Sequence, residues 1–177
     1  MVKKKNGKIY FPDYPYFTPN LSPKEMFESG IFGGTYWRPI RSSVTKKTYK
    51  NPHHEFPKSW WARIPDKELT STICNKKINK YGVKSGTSLD YWEEKGWIIS
   101  QDPYGWVQWY CRFYRGRRTL DDHRQIKRWL GIAGDKGRFR NRLISMCHKK
   151  GKQYNDITVS PVIRQLLLQW GYVLYIK

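Results

Sequence analysis

Asp121-Asp122-His123 sets two carboxylates beside an imidazole. These residue types could hold a divalent cation and activate water against a phosphodiester. Asp90, Glu93, Glu94 and Asp102 are further carboxylates that such a centre could recruit. Position argues for another use. Asp121 and Asp122 follow Thr119 at what reads as a helix start, where the dipole favours acids, and Asp90 follows Thr87-Ser88 in the same way. His123 then lies on a polar helix face. His53-His54 offers two imidazoles, but adjacent side chains diverge and no cysteine is near, so no metal is expected. Cys147-His148 fails as a nucleophile–base pair for the same directional reason. Neither Gly-x-x-x-x-Gly-Lys-Ser/Thr nor Gly-x-Gly-x-x-Gly occurs, which removes support for nucleotide hydrolysis, and no cofactor is expected. Asp121, Asp122 and His123 stay as the catalytic candidates of an enzyme reading; no catalytic residue is assigned.

Arginine carries the stronger chemical signal. Nine of the 13 arginines fall between Arg112 and Arg142, in a chain of 177 residues with net charge +20. An AT-rich genome enriches lysine over arginine, so the arginines weigh more than the lysines. The planar guanidinium matches phosphate oxygens and stacks on rings, so clustering points to a polyanion, nucleic acid first. The candidate phosphate-binding set is Arg112, Arg115, Arg117, Arg118, Arg124, Lys127, Arg128, Arg138, Arg140 and Arg142. Aromatic residues are interleaved with it: Trp106, Trp109, Tyr110, Phe113, Trp129 and Phe139. Only 38% of the chain is hydrophobic, yet it holds 9 Trp, 13 Tyr and 7 Phe, so rings must build much of the core. The expectation is that rings hold the fold and guanidinium groups meet the ligand.

The elements that position these groups follow from local signals. Residues 1–8 read as a basic flexible arm able to touch phosphates or direct import. Residues 9–177 read as a single globular domain. Within it, residues 9–20 form a strap of prolines and aromatic rings, too rich in Pro for a helix. Ser22-Pro23-Lys24-Glu25 is a capping box with Pro at the first helical position. Ile31 to Ile40 reads as a Gly-Gly turn entering a strand, and Arg41 to Lys50 completes a hairpin with a basic tip. Residues 102–150 form a basic helical region. On a helix, Trp106, Trp109, Tyr110 and Phe113 share one face while Gln108, Arg112 and Arg115 line another. Thr119 caps a second helix with Ile126, Trp129, Leu130 and Ala133 inward, and residues 135–150 supply a third. Ser160-Pro161 opens an apolar helix ending at Gly171. The fold class is α+β, mainly short helices with a small antiparallel hairpin or sheet, in one compact aromatic-rich domain.

Several short sequences are distinctive: Phe11-Pro12-Asp13-Tyr14-Pro15, Gly33-Gly34-Thr35-Tyr36-Trp37-Arg38-Pro39-Ile40, Asp102-Pro103-Tyr104-Gly105-Trp106, Arg124-Gln125-Ile126-Lys127-Arg128-Trp129 and Ser160-Pro161-Val162-Ile163-Arg164-Gln165. Through them, over most of its length, the chain resembles a family of uncharacterised proteins from large DNA viruses and eukaryotic microbes. The resemblance implies a viral or microbial nuclear setting and carries over no activity. Together these readings give a nucleic-acid-binding protein, DNA favoured over RNA, using an Arg-rich helical face. An enzyme acting on nucleic acid, nuclease or base-processing, is the alternative. So is a structural or virion protein whose basic face serves self-association or viral structural partners. Three cysteines without a CxxC pair suit free thiols in a reducing, intracellular compartment. The expected location is the nucleus, or a virus factory or virion. No stretch approaches a membrane span.

Overall fold

The structure, a computed structural model, describes residues 3–175; Met1, Val2, Ile176 and Lys177 lie outside the described residues. Strands β1 (Lys3–Lys5) and β2 (Lys8–Tyr10) pair antiparallel, with Lys4 opposite Ile9. The expected flexible arm is thus a hairpin from Lys3 onward. Asn6 and Gly7 take φ of 50° and 74°, the left-handed pair that a two-residue hairpin turn demands, and Asn-Gly is the sequence that best supplies it. Ile9 at 0% exposure anchors the hairpin to the core. A second hairpin joins β3 (Ile40–Arg41) to β4 (Thr48–Tyr49), its basic tip carrying Lys46 and Lys47.

The expected helices form. In α1 (Pro23–Ser29), Ser22 Oγ accepts from the Glu25 N–H at 3.3 Å, and the Glu25 carboxylate accepts from the Ser22 N–H at 2.7 Å. A cap of this kind stabilises a helix by about 1 kcal/mol. At the start of α2 (Leu89–Glu94), Ser88 Oγ accepts from the Tyr91 N–H at 3.3 Å, without a reciprocal acid. Further on are α3 (Trp106–Tyr114), α4 (Asp122–Ala133), α5 (Arg138–Lys149) and α6 (Pro161–Gln169). Between Gly34 and Ile40 the chain turns without entering a strand; the Gly-Gly step is one turn of 3₁₀ helix, Phe32–Gly34.

Helix α3 is the axis. Seven of its nine side chains are buried, Gln108 among them. A helix apolar nearly all round must be enclosed, and here α1, α4 and the strap enclose it. The strap's rings dock as the Pro-aromatic pattern suggests. Phe11 and Phe17 stack at 5.3 Å, and Phe17 meets Tyr110, Phe113 and Trp129 edge-on at 5.9, 5.5 and 5.1 Å. Asn20 then ties the strap to the C-terminal segment, donating to Val173 O and accepting from Val173 N–H, both at 2.8 Å. On the other side, Phe27 stacks on Trp37 at 5.7 Å with Trp61 edge-on to Phe27 at 5.0 Å.

A buried hydroxyl links this second ring cluster to α3. Tyr36 donates to Tyr104 O at 2.6 Å and accepts from the Gln108 N–H at 2.9 Å, which satisfies a free amide in the first turn of α3. Burial pushes the Tyr36 hydroxyl far above its ordinary pKa, so it remains a donor. Helices α4, α5 and α6 pack successively, and Trp129 Nε1 donates to Trp170 O at 2.8 Å. These helices and α3 set the walls of the site described next.

Candidate nucleic-acid interface

The arginines divide by what they touch inside the fold. Arg112 grips the Glu55 carboxylate with two bonds of 2.8 and 2.6 Å and Asp102 with one of 2.9 Å, and also donates to Gln101 O. Arg117 meets the other Asp102 oxygen at 2.6 Å. Arg118 pairs with Asp13 of the strap and lies over the Phe113 ring at 3.8 Å. Arg124 pairs with Asp121, and Arg140 pairs with Asp135 while facing the Tyr172 ring at 5.1 Å. These five hold the basic region to the strap, to the loop before α3 and to their own helices. Arg115, Lys127, Arg128, Arg138 and Arg142 form no ion pair with a carboxylate among the described residues. Arg115 is exposed and donates to Glu55 O at 3.1 Å. Lys127, Arg138 and Arg142 are exposed as well.

Asp122 is structural in its contacts. It is 1% exposed and accepts from Trp109 Nε1 at 2.8 Å, Thr119 N–H at 2.9 Å and Thr119 Oγ1 at 3.1 Å. Thr119, expected to cap α4, instead donates from its N–H and hydroxyl to this carboxylate, and the N-cap position falls on Asp121, whose side chain makes no cap bond. Asp121 is engaged by Arg124 and by Gln125 Nε2. His123 is exposed with its ring edge-on to Tyr14 at 5.6 Å. The structure brings the three catalytic candidates together in sequence only; their side chains serve different neighbours. Among the described residues, no group of three or more His, Cys, Asp or Glu side chains converges as a metal site requires.

His53 is a buried imidazole of another kind. It is 3% exposed, its Nδ1 has no hydrogen-bond partner among the described residues, and burial followed by the charge of His54 lowers its pKa below the ordinary 6.5. The unfolded chain then binds the proton more readily than the folded one. Stability is full above about pH 6.5 and drains as pH falls through that value. The urea midpoint should be higher at pH 8 than at pH 5.5, with the gap narrowed in His53→Gln. An equal gap in that variant would assign the dependence to other groups.

The fold also forms a concavity that the sequence did not reveal. An open cleft of about 580 Å³ lies between the α2 region, α4, the start of α5 and the end of α6, with the first turn of α3 at its wall. Trp92, Trp97, Trp106, Trp170 and Phe139 line it, with Lys127, Arg128 and Arg138. Trp97 is 38% exposed. Arg128 sits between the rings of Trp97 and Trp170, at 5.2 and 5.3 Å, and its guanidinium also donates to Gln125 Oε1 at 3.0 Å. Burial, reinforced by nearby Arg124, pushes Arg128 down to about 10, so it stays charged at neutral pH. Among the described residues, three cations line the cleft and no carboxylate does.

A smaller cavity of about 210 Å³ adjoins it. Phe32, Tyr36, Gly86, Thr87 and Trp92 line both. Phe32 holds φ of 52°, unusual for a bulky side chain. Its N–H donates to Gln169 Oε1 at 3.2 Å, and its ring packs on Tyr36 at 4.9 Å and Trp92 at 6.0 Å. Backbone strain of this kind persists only where surrounding contacts enforce it. The smaller cavity holds Arg38, Lys84, Ser85 and Ser88 and, among the described residues, likewise no carboxylate. Comparison of the chain with protein-family models, curated proteins and solved structures finds no match.

Proposed function

We propose that this protein binds nucleic acid, contacting phosphates with Lys127, Arg128 and Arg138 at the aromatic cleft and with Arg142 and Arg115 on the neighbouring surface. The observation that carries this reading is the charge of the cleft. Five arginines elsewhere in the region, Arg112, Arg117, Arg118, Arg124 and Arg140, are matched to acids, whereas the cleft, among the described residues, gathers three cations against rings with no carboxylate lining it. Unmatched cations beside exposed aromatic rings suit a ligand that offers both anionic oxygens and flat faces. Nucleic acid offers both along its whole length. A net charge of +20 supplies the long-range attraction. DNA is placed ahead of RNA through the resemblance to proteins of DNA viruses, with the nucleus, or a virus factory or virion, as its setting. Among the described residues, no helix is long and apolar enough to cross a membrane.

Fluorescence anisotropy with labelled duplex DNA, single-stranded DNA and duplex RNA tests the reading. If six or more phosphates are engaged, affinity for the preferred form should fall ~10³-fold or more between 50 and 200 mM salt. Weak, salt-indifferent association with all three would turn the basic surface toward an acidic protein or self-assembly.

A further inference from the structure

We infer that the two adjoining cavities form one bipartite site for a single unstacked nucleotide. Its base enters the aromatic cleft, and its phosphate enters the smaller cavity. This rests on the nucleic-acid reading and says which part of the ligand is recognised. The division follows the lining. The larger space is walled mainly by indole and phenyl rings, which a base face can cover without regard to its sequence. The smaller space presents Arg38 and Lys84 beside Thr87 and Ser88. Both hydroxyl oxygens already accept bonds, Thr87 from Trp92 Nε1 at 2.7 Å and Ser88 from the Tyr91 N–H at 3.3 Å. Their own protons therefore remain to donate, as phosphate oxygens require.

The spaces share walls, so one ligand can span them. Phe32, Thr87 and Trp92 belong to both, and Phe32 is held there in its left-handed conformation. The indole N–H of Trp106, on the cleft wall, has no acceptor among the described residues. A buried donor without a partner calls for an explanation, and a base edge carries carbonyl and ring-nitrogen acceptors. A paired, stacked base cannot enter such a cleft. The ligand is therefore an extruded or unpaired nucleotide of a chain, or a free nucleoside phosphate of the same chemistry.

Three labelled duplexes separate the outcomes: one fully paired, one with a single unpaired adenosine, and one with an abasic site in its place. The unpaired adenosine should bind roughly 10-fold more tightly than the abasic duplex, the gain expected of one stacked base. Trp97→Ala should abolish that ratio, and Trp97→Phe, which keeps a ring, should restore part of it. Lys84→Ala, at an exposed position, should weaken adenosine 5′-monophosphate used as competitor. Displacement by the free nucleotide below millimolar concentration would identify a nucleotide site not confined to chains. Duplex binding with no difference between adenosine and abasic, and no displacement, would overturn this inference and leave the nucleic-acid reading standing. Nucleotide binding lost in Trp97→Ala, with no duplex bound at all, would do the reverse.

Discussion

Asp102→Ala should lower unfolding free energy by about 3 kcal/mol, seen as a lower urea midpoint at unchanged slope. Asp102 is 1% exposed and joins Arg112 at 2.9 Å to Arg117 at 2.6 Å, with Gln101 Nε2 donating at 3.0 Å. Removing one partner of a fully buried ion pair costs about 3–5 kcal/mol, because the partner charge is left uncompensated. The arginine side chains here keep 20% and 26% of their surface, which places the effect at the low end. Arg112 retains Glu55, so the loss centres on Arg117, whose Nε already lacks a partner among the described residues. Asp102→Asn keeps an acceptor without the charge and should fall between. Adding Arg117→Met to Asp102→Ala should recover stability, since no unpaired guanidinium then remains. A loss under about 1 kcal/mol in Asp102→Ala would show that water screens this pair as it screens surface pairs.

That ion pair shows what a count of charges along the sequence misses. The density of arginines from 112 to 142 is plain in the sequence, but their acids are not. Glu55 lies 57 positions from Arg112, and Asp13 lies 105 positions from Arg118. Only folding brings those charges together, and no local pattern announces it. Local signals read well where the physics is local. The Ser22/Glu25 box, the Ser88 cap and the ring face of α3 each appear as expected, whereas Gln108, expected on the face of Arg112 and Arg115, is buried. The Asn6-Gly7 turn is equally local, but the surrounding lysines point toward an arm. The cleft is illegible for the opposite reason. Trp92, Trp106, Lys127, Phe139 and Trp170 come from five helical segments or their ends, and a ring that lines a cavity looks the same in sequence as one in the core. What distinguishes most of the cleft rings is partial exposure, which reaches 38% and 39% at Trp97 and Tyr91.

The double variant Lys127→Ala, Arg138→Ala should bind duplex or single-stranded DNA ~10- to 100-fold more weakly at 0.1 M salt while unfolding at nearly the wild-type urea concentration. Both side chains are exposed at the cleft, and among the described residues neither pairs with a carboxylate. Truncation therefore leaves no acid unpaired behind it. Each phosphate that goes unneutralised should reduce the slope of log affinity against log salt by about 1, so the double variant should lose roughly 2. Arg118→Ala makes the informative contrast. It strands Asp13 and uncovers the Phe113 ring, so it should cost stability and leave the salt slope closer to wild type. Measuring stability and slope on the same samples separates the two roles that the arginines of this region combine. If Lys127→Ala, Arg138→Ala leaves the slope unchanged while Arg118→Ala reduces it, phosphates are met by the arginines that grip the strap, and the cleft is not where the polyanion lies.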